Sequence, residues 1–371
     1  NICLLLNSKV TRIDREKKTI VYEDDGGEKK LSYDVLVLAT GSSCVEPSIK
    51  GIEKCEYFTL KNIDDAKKIA ESVKEGARSA IIGAGLVGVE LACSLAQKGE
   101  QVALIEEEKS VLQSILDEDM AEKIKEMLEA QKIKIYENEK IREICKQKVL
   151  LSDKEIHFDK LFVCAGASPA TRLAGDAGLK VEKGIVVNEF LQTSDKDVFA
   201  CGDCAECVEF TSNERVLSMI GTIAVKQAKI IARNISGKKS KFPPVLNSTI
   251  TKIGDLFVAA AGLTANRAKK LSINAISAKY SGTVRSEYYD SKSRITVKLV
   301  CDPKGIVIGG QIVGHAEVAG RINLIALAIQ KKCNVVELKG LETAYNPASA
   351  PIFDPLTVAA EMCARKMGIG E

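Results

Sequence analysis

Residues 79–108, SAIIGAGLVGVELACSLAQKGEQVALIEEE, restrict the possible fold more than any other stretch of this sequence. A short apolar run leads into Gly83-Ala-Gly85-Leu-Val-Gly88, and a helix-forming segment and a second apolar run follow. In such a unit the first glycine permits a tight turn, the second lets the backbone approach a ligand, and the third lets helix and strand pack closely. The pattern predicts a strand, a glycine turn, a helix and a parallel strand of an α/β sheet.

The same stretch has the features of a dinucleotide site. The unpaired N–H groups and the positive dipole end of the helix N-terminus favour phosphate groups. The second strand ends at Glu106, 23 residues after Gly83, where a carboxylate accepts hydrogen bonds from the adenosine ribose of NAD. This carboxylate would repel a 2′-phosphate, and no arginine follows immediately, so NADH is favoured over NADPH. The predicted dinucleotide-binding residues of this unit are Gly83, Gly85, Leu86, Val87, Gly88 and Glu106.

The composition argues against several classes of protein. The chain has 371 residues, for which we expect two or three domains. Its net charge is only +3, so neither nucleic acid nor an anionic membrane is the expected partner, and no apolar run approaches the ~20 residues needed to span a bilayer. Twelve scattered cysteines fit a reducing, cytoplasmic location better than a disulfide-rich secreted scaffold. Only two histidines occur, His157 and His315, which argues against a histidine metal site or a Ser-His-Asp triad.

Two similar stretches flank the glycine-turn unit. They are YDVLVLATGS (33–42) and KLFVCAGASP (160–169), and each is predicted as a buried strand that ends in a turn of small residues. Their positions before and after the dinucleotide unit resemble the returns between two nested nucleotide-binding domains. A boundary rich in Gly, Lys and Pro follows at SGKKSKFPP (236–244), and beyond it the chain is predicted to be β-rich and then helical.

The order of these motifs is specific. YDxLVLATGS, GAGxVGxExA, AGxxPxT, VFAxGDxA and GTxAxKQA occur in this sequence before a C-terminal β/α segment. With this order, which covers essentially the whole chain, the sequence resembles the FAD-dependent pyridine nucleotide–disulfide oxidoreductases. The most similar branch is that of the NADH oxidases, NADH peroxidases and coenzyme A-disulfide reductases.

The resemblance implies an α/β fold of two nested, Rossmann-like dinucleotide-binding domains and a C-terminal α+β dimerisation domain. The implied FAD-binding domain comprises residues 1–62 and 173–240, the NAD-binding domain residues 63–172, and the dimerisation domain residues 241–371. The implied protein is a homodimer that binds FAD and NADH and passes electrons to a small-molecule or disulfide acceptor.

The resemblance also implies a role for individual residues. Gly166 would join the glycine turn in holding NADH, and Glu90 would lie near the nicotinamide. Many relatives have a tyrosine that covers the flavin at the position of Leu86, so this chain departs from the family there. The residues implied to contact FAD are Ala39, Thr40, Gly41, Gly202, Asp203, Gly221 and Thr222.

The stretch FACGDCAEC (199–207) places three cysteines at intervals of three residues. A ferredoxin-like cluster would need a fourth ligand near residues 210–211, which are Phe and Thr, and no second CxxC unit or nearby histidine completes a zinc site. A thioredoxin-like CxxC opens a helix, whereas Cys201 is predicted to end a buried strand. Asp203, at a strand's carboxyl end, is therefore the predicted functional residue, and the cysteine spacing is predicted to be coincidental.

The C-terminal segment AYNPASAPIFDP (344–355) has Tyr345 where glutathione- and lipoamide-type relatives have a His-Pro with a nearby Glu. The resemblance then implies the branch in which a tyrosine of the partner subunit approaches the redox cysteine. Tyr345 is the predicted catalytic residue and Tyr288 a second candidate. The alternative is that both tyrosines only pack in a dimer interface.

The family also has a GxGxxG for the ADP part of FAD and a redox cysteine upstream of the motifs in this sequence. Neither occurs here, so we expect a further segment before Asn1. Oxygen, peroxide, coenzyme A disulfide and polysulfide all remain open as acceptors. Two other functions remain open as well: a reductase for a small iron protein such as rubredoxin, and a non-catalytic NADH-binding dimer.

Overall fold

The computed structural model describes residues 2–369, and their contacts divide the chain into two units. The first unit comprises residues up to Ser43 together with Ala167–Val245. The second comprises Cys44–Gly166 together with the residues from Leu246 onward. The chain thus leaves the first unit and returns to it, as nested domains require. The finer division into four segments stays a prediction.

The first unit is built from small β-sheets and two α-helices. Its strands are a three-stranded antiparallel sheet (Lys9–Asp14, Thr19–Asp24 and Gly27–Ser32), a parallel pair (Leu36–Leu38 and Val198–Ala200) and an antiparallel pair (Glu206–Val208 and Arg215–Leu217). Its helices are Arg172–Asp176 and Gly221–Ile235, and a 3₁₀ turn covers Gly202–Cys204. Short strands at Ser42–Cys44 and Ala167–Pro169 lie at the two points in the sequence where the chain passes from one unit to the other.

The second unit contains the predicted strand–turn–helix–strand. A four-stranded parallel sheet has the order Lys160–Val163, Arg78–Ile82, Gln101–Ile105, Lys134–Tyr136. Helices Ile63–Ser72, Leu86–Gln97 and Glu118–Ala130 belong to the same region, with a 3₁₀ turn at Ile52–Lys54. The same region also contains a small antiparallel sheet, whose strands are Glu143–Cys145, Lys148–Leu150 and Glu155–His157.

The C-terminal part of the second unit is a five-stranded antiparallel sheet with helices. Its strand order is Thr249–Ile253, Leu256–Gly262, Val307–Gly314, Arg294–Cys301, Ile276–Thr283. The helices are Ala265–Lys270, Val318–Gln330, Val335–Lys339 and Pro355–Met367. Every residue of strand Val307–Gly314 is buried, because this strand is central in the sheet and both of its faces are covered.

The sequence explains where these helices begin and which faces they bury. Helix Ile63–Ser72 begins after Asn62, whose side chain accepts N–H groups of the first turn while Asp65 reaches back to the Asn62 N–H. Helix Leu86–Gln97 buries most of its apolar residues, such as Val89, Ala92 and Leu95, and leaves a polar stripe exposed. Its buried faces pack against the parallel sheet and against strand Thr249–Ile253. Within residues 2–369, no helix combines the length and apolarity that crossing a membrane would require.

A buried polar cluster joins the dinucleotide region to the C-terminal sheet within the second unit. Lys298 Nζ lies 3.0 Å from Asp117 Oδ2 and 2.6 Å from Asp119 Oδ1. Gln311 Nε2 donates to Asp117 Oδ2 at 2.6 Å, and Gln311 Oε1 accepts the Asp117 N–H at 2.8 Å. Asp117, Lys298 and Gln311 are all buried. Since buried charges require partners, these contacts hold the two parts of the unit in one arrangement.

We expect Lys298→Met to destabilise the protein by about 3–5 kcal/mol, because it leaves the buried Asp117 carboxylate without its cation. Lys279→Met is the matched control: Lys279 also pairs with Asp119, at 3.2 Å, but both side chains are more than two-fifths exposed. Its loss should cost at most about 1 kcal/mol. Urea unfolding followed by circular dichroism measures both effects, and equal losses in the two variants would contradict the role of burial.

The same cluster predicts an acid dependence. Burial alone would raise the pKa of Asp119, but the hydrogen bonds and charges of Lys298 and Lys279 outweigh it and hold the pKa below its ordinary value of 3.8. The stabilisation from a lowered carboxyl pKa is complete above the unfolded-state value and is lost as the pH falls through the folded-state value. The free energy of unfolding should therefore decrease below about pH 4, and less steeply in Lys298→Met.

Candidate functional site

The first and third glycines of the turn are required by close backbone contacts. Gly83 has φ +98°, and a Cβ at this position would lie 2.4 Å from the carbonyl oxygen of Cys164. A Cβ at Gly88 would lie 1.9 Å from the carbonyl oxygen of Gly83. No side chain fits at these distances, so both positions exclude every residue except glycine. These are the tight turn and the close helix packing that the sequence predicts.

The second glycine lies in open space. A Cβ at Gly85 would meet no atom within 4 Å, and its backbone angles (φ −72°, ψ −174°) are open to any residue. The fold therefore does not require glycine here. Gly85 is also the N-cap of helix Leu86–Gln97, and no side chain caps the first N–H groups of that helix. The space and the donors at this point fit a pyrophosphate that approaches the backbone.

A cavity of about 530 Å³ opens in front of this turn. It lies at the carboxyl ends of parallel strands Arg78–Ile82 and Gln101–Ile105, where ligands of α/β sheets bind. The loop Pro47–Ile49, which the sequence did not identify, lines it as well. The predicted residues that line it are Gly83, Gly85, Glu106 and Gly166.

Glu106 is held in a fixed orientation at the end of its strand. Its Oε2 accepts the Ala84 N–H at 2.6 Å, and its Oε1 accepts the Glu108 N–H at 2.9 Å. Each oxygen has a further lone pair that can accept a ribose hydroxyl. Glu107 and Glu108 line the same cavity and add negative charge, which disfavours a ligand with a phosphate at this point.

The other predicted residues of this helix have different environments. Leu86 packs against the apolar core, whereas Val87 is exposed in the first helical turn. The carboxylate of Glu90 accepts a hydrogen bond from the hydroxyl of Thr251, on the first strand of the C-terminal sheet. Thr251 gave no signal in the sequence because its partner is 161 residues away.

A second site is formed in the first unit at the ends of the parallel pair Leu36–Leu38 and Val198–Ala200. The pairing brings the predicted turns 39–41 and 202–203 to the same edge. Ser42 Oγ donates to Asp203 Oδ2 at 2.6 Å, and Thr40 Oγ1 donates to the carbonyl oxygen of Ala170 at 2.7 Å. Ser42 was not predicted, although it follows the turn directly. The carboxylate of Asp203 is thus oriented at a strand's carboxyl end.

Gln227 is the second residue that sequence reasoning missed in this site. It is fully buried in helix Gly221–Ile235, and its Oε1 accepts the Gly202 N–H at 2.7 Å. Gly202 has φ +76°, and the Gln227 amide holds this left-handed turn in place. Gly221 and Thr222 are exposed at the start of the same helix, where no side chain caps the N–H groups. These donors fit an electronegative ligand atom near Asp203.

The three cysteines of FACGDCAEC are all buried and free. Cys204 Sγ donates to the carbonyl oxygen of Cys201 at 3.2 Å. Burial raises the pKa of the Cys207 thiol to about 11, although a hydrogen bond from Gln227 opposes it, and burial also raises the pKa of Cys201. Thiols of this kind are protonated and unreactive at neutral pH. Nowhere in residues 2–369 do three or more His, Cys, Asp or Glu side chains form a group suited to a metal ion.

The two candidate tyrosines lie together in the second unit. A side-chain hydrogen bond between Tyr288 and Tyr345 raises the pKa of Tyr288. Both tyrosines are exposed, and so are the large apolar side chains of Tyr289, Ile352 and Phe353. Exposed apolar groups of this size are typical of protein–protein contacts.

Two family profiles match the chain. That of the pyridine nucleotide-disulphide oxidoreductases matches residues 1–228, and that of their dimerisation domain matches residues 249–355. Among curated proteins, an NADH oxidase of Methanocaldococcus jannaschii is 36% identical over 99% of this chain and 84% of its own length. An NAD(P)H sulfur oxidoreductase (CoA-dependent) of Pyrococcus furiosus is 31% identical over 96% of this chain and 82% of its own length.

Among solved structures, an NAD-dependent persulfide reductase from A. fulgidus superimposes with a TM-score of 0.93 and is 33% identical, over 97% of this chain and 68% of the other. The resemblance inferred from the motif order is confirmed, and so is the α/β fold class. The chain therefore belongs to the pyridine nucleotide-disulphide oxidoreductases, an oxidoreductase family of enzymes, and carries their dimerisation domain.

Proposed function

We propose that this protein is a flavin-dependent oxidoreductase that passes electrons from NADH through FAD to oxygen, peroxide or a disulfide-type sulfur acceptor. The observation that carries the proposal is the cavity lined by Gly83, Gly85 and Gly166, with Glu106 fixed at its edge. The names of the similar proteins, an NADH oxidase and CoA-dependent or NAD-dependent sulfur reductases, support the range of acceptors. Twelve free cysteines support a reducing, cytoplasmic location.

The residues of the second unit fit NADH. The helix N-terminus after Gly85 would hold the pyrophosphate through its backbone N–H groups, and the open space at Gly85 permits that approach. Glu106 would accept the hydroxyls of the adenosine ribose, and Gly166, in the same cavity, would let the ligand approach the neighbouring strand end. Glu90 would face the nicotinamide, with its carboxylate oriented by Thr251. NADH remains favoured over NADPH because Glu107 and Glu108 extend the acidic edge.

The residues of the first unit fit FAD. Asp203 would accept a hydroxyl of the ribityl chain with an oxygen whose direction Ser42 fixes. The turn 39–41 and the N–H groups at Gly221 and Thr222 would lie along the same ligand. The two bound groups would supply the chemistry of hydride transfer. The protein's contribution is orientation, charge and the exclusion of water.

We further propose that two copies associate through the C-terminal part, where Ile352 and Phe353 are exposed, and that Tyr345 acts at the active site of the other copy. Tyr345→Phe should then lower the turnover number about tenfold or more. Its NADH affinity and the mass of the dimer should change little, because only a hydroxyl is lost. Phe353→Asp should give a monomer in light scattering. A Tyr345→Phe enzyme with unchanged turnover would leave Tyr345 with a packing role alone.

The proposed function is tested by anaerobic titration of the purified holoenzyme with NADH. We expect about one equivalent of NADH to remove the visible absorbance of the bound flavin, and addition of an acceptor to restore it. Oxygen, hydrogen peroxide, coenzyme A disulfide and polysulfide, added separately, rank the acceptors by rate. A protein that binds flavin but whose absorbance NADH leaves unchanged would contradict the proposal.

A further inference from the structure

A second cavity, of about 640 Å³, adjoins the dinucleotide cavity in the second unit. The two cavities share the lining residues Glu108, Gln113 and Ser114. The far wall of the second cavity is formed by residues of the segment 262–270, at the start of the C-terminal part. None of the residues proposed above to hold NADH or FAD lies in that wall.

The charged side chains of this cavity are mostly cationic. Lys109, Arg267, Lys269 and Lys270 line it, against Glu108 and Glu118, and we call it the basic cavity. The Glu108 carboxylate accepts a hydrogen bond from the Gln113 amide at 2.7 Å. In the described part of the chain, the side chains of Lys109, Lys269 and Lys270 form no ion pair or hydrogen bond with another residue. Three ammonium groups around one cavity thus lack protein partners.

The walls of the basic cavity also contain a buried polar group and are held in place without a ligand. Thr264 is 8% exposed, and its Oγ1 accepts the Arg267 N–H at 3.0 Å, which leaves the hydroxyl proton available to donate. The Asp117 carboxylate accepts the N–H groups of Ala265 at 3.1 Å and Asn266 at 2.9 Å. Since Asp117 belongs to the buried cluster with Lys298, the two walls are fixed before anything binds. A preformed site loses less entropy on binding.

We propose that the basic cavity binds a phosphate group, the dianion of a phosphomonoester or of inorganic phosphate. The cationic excess, the unpartnered ammonium groups and the available Thr264 hydroxyl match such an anion in charge and in hydrogen-bond donors. Two sources share this chemistry: a separate phosphate-bearing molecule, and the 2′-phosphate of NADPH reaching from the dinucleotide cavity. The second source rests on the proposed function. The separate molecule is favoured because Glu106, Glu107 and Glu108 lie along the dinucleotide cavity.

The test is calorimetric titration of the full-length holoenzyme with inorganic phosphate, with and without saturating NADH. The variant is Lys109→Gln/Lys269→Gln/Lys270→Gln. The matched control, Lys304→Gln/Lys331→Gln/Lys332→Gln, removes the same charge from exposed positions of the same unit that lie outside the cavity. We expect phosphate affinity to fall about tenfold or more in the variant and less than about twofold in the control. NADH affinity should change less than about twofold in both.

The two sources give different results. Undiminished phosphate binding in the presence of NADH, with equal NADPH affinity in variant and control, identifies a separate ligand. Phosphate that competes with NADPH, together with weaker NADPH binding in the variant alone, identifies the 2′-phosphate. Equal phosphate and NADPH affinities in variant and control overturn the proposal. Lysine-dependent phosphate binding in a protein that fails to bind NADH would overturn the proposed function and leave the basic cavity standing.

Discussion

Gly88→Ala should destabilise the protein by about 2–3 kcal/mol or more, whereas Gly85→Ala should change its stability by less than about 1 kcal/mol. The difference follows from the surroundings of the two glycines. A methyl group at Gly88 would lie 1.9 Å from the carbonyl oxygen of Gly83, so helix and strand would have to separate. A methyl group at Gly85 meets no atom within 4 Å, and the backbone angles there are allowed for alanine. Urea unfolding of both variants measures the difference.

For the binding of NADH, the larger effect is expected at Gly85 rather than at Gly88. Gly85→Ala should weaken the binding of NADH about tenfold or more, because the methyl group enters the space through which the pyrophosphate approaches the helix N-terminus. Fluorescence titration with NADH measures this at a temperature where both variants are folded. A Gly85→Ala protein that binds NADH as tightly as the unsubstituted protein would place the pyrophosphate elsewhere. Equal losses of stability at Gly85 and Gly88 would show that the turn itself, not the contact of Gly88, decides stability.

Asp203→Ala should weaken flavin binding by about 10–150-fold, so that the purified protein loses its colour on dialysis. The carboxylate is oriented by Ser42 Oγ at 2.6 Å and lies at the strand end where ligands of α/β folds bind. A charge-assisted hydrogen bond to a ribityl hydroxyl is worth about 1.5–3 kcal/mol, which sets the expected range. Ser42→Ala should have a smaller effect, because the carboxylate remains and only the hydrogen bond from Ser42 is lost.

Cys204→Ser is the matched control for Asp203→Ala. The thiol of Cys204 is buried beside the same turn and donates to the carbonyl oxygen of Cys201, and a serine hydroxyl can make the same hydrogen bond. The flavin-to-protein ratio after dialysis should therefore stay near that of the unsubstituted protein. If Cys204→Ser loses flavin as readily as Asp203→Ala, the cysteines of FACGDCAEC have a role that their burial does not suggest.

The features that the sequence predicts share one property: each is local. The glycine turn and Glu106 lie within one strand–helix–strand unit, and their spacing alone predicts the tight turn, the open approach and the acidic strand end. Asp203 was selected over its neighbouring cysteines because it follows a short apolar run. The order of such motifs was sufficient to predict the family and the fold class.

The features that the sequence did not predict depend on partners far away in the chain. Gln227 contacts Gly202 across 25 residues, Ser42 contacts Asp203 across 161, and Asp117 contacts Gln311 across 194. A single polar side chain on a helix or strand has no periodicity that distinguishes it from a solvated one. Its role is decided only when packing removes water and leaves one partner within reach.

The sequence by itself thus determined the family, the strand–glycine turn–helix unit and the strand ends at which ligands are expected, because these follow from local backbone geometry and hydrophobic periodicity. Only the tertiary structure decided that Asp203 is oriented by Ser42, that the three cysteines of FACGDCAEC are buried and free, and that lysines from two separate segments surround one cavity. The physical reason is that burial, and the proximity of residues distant in sequence, arise from the packing of whole elements.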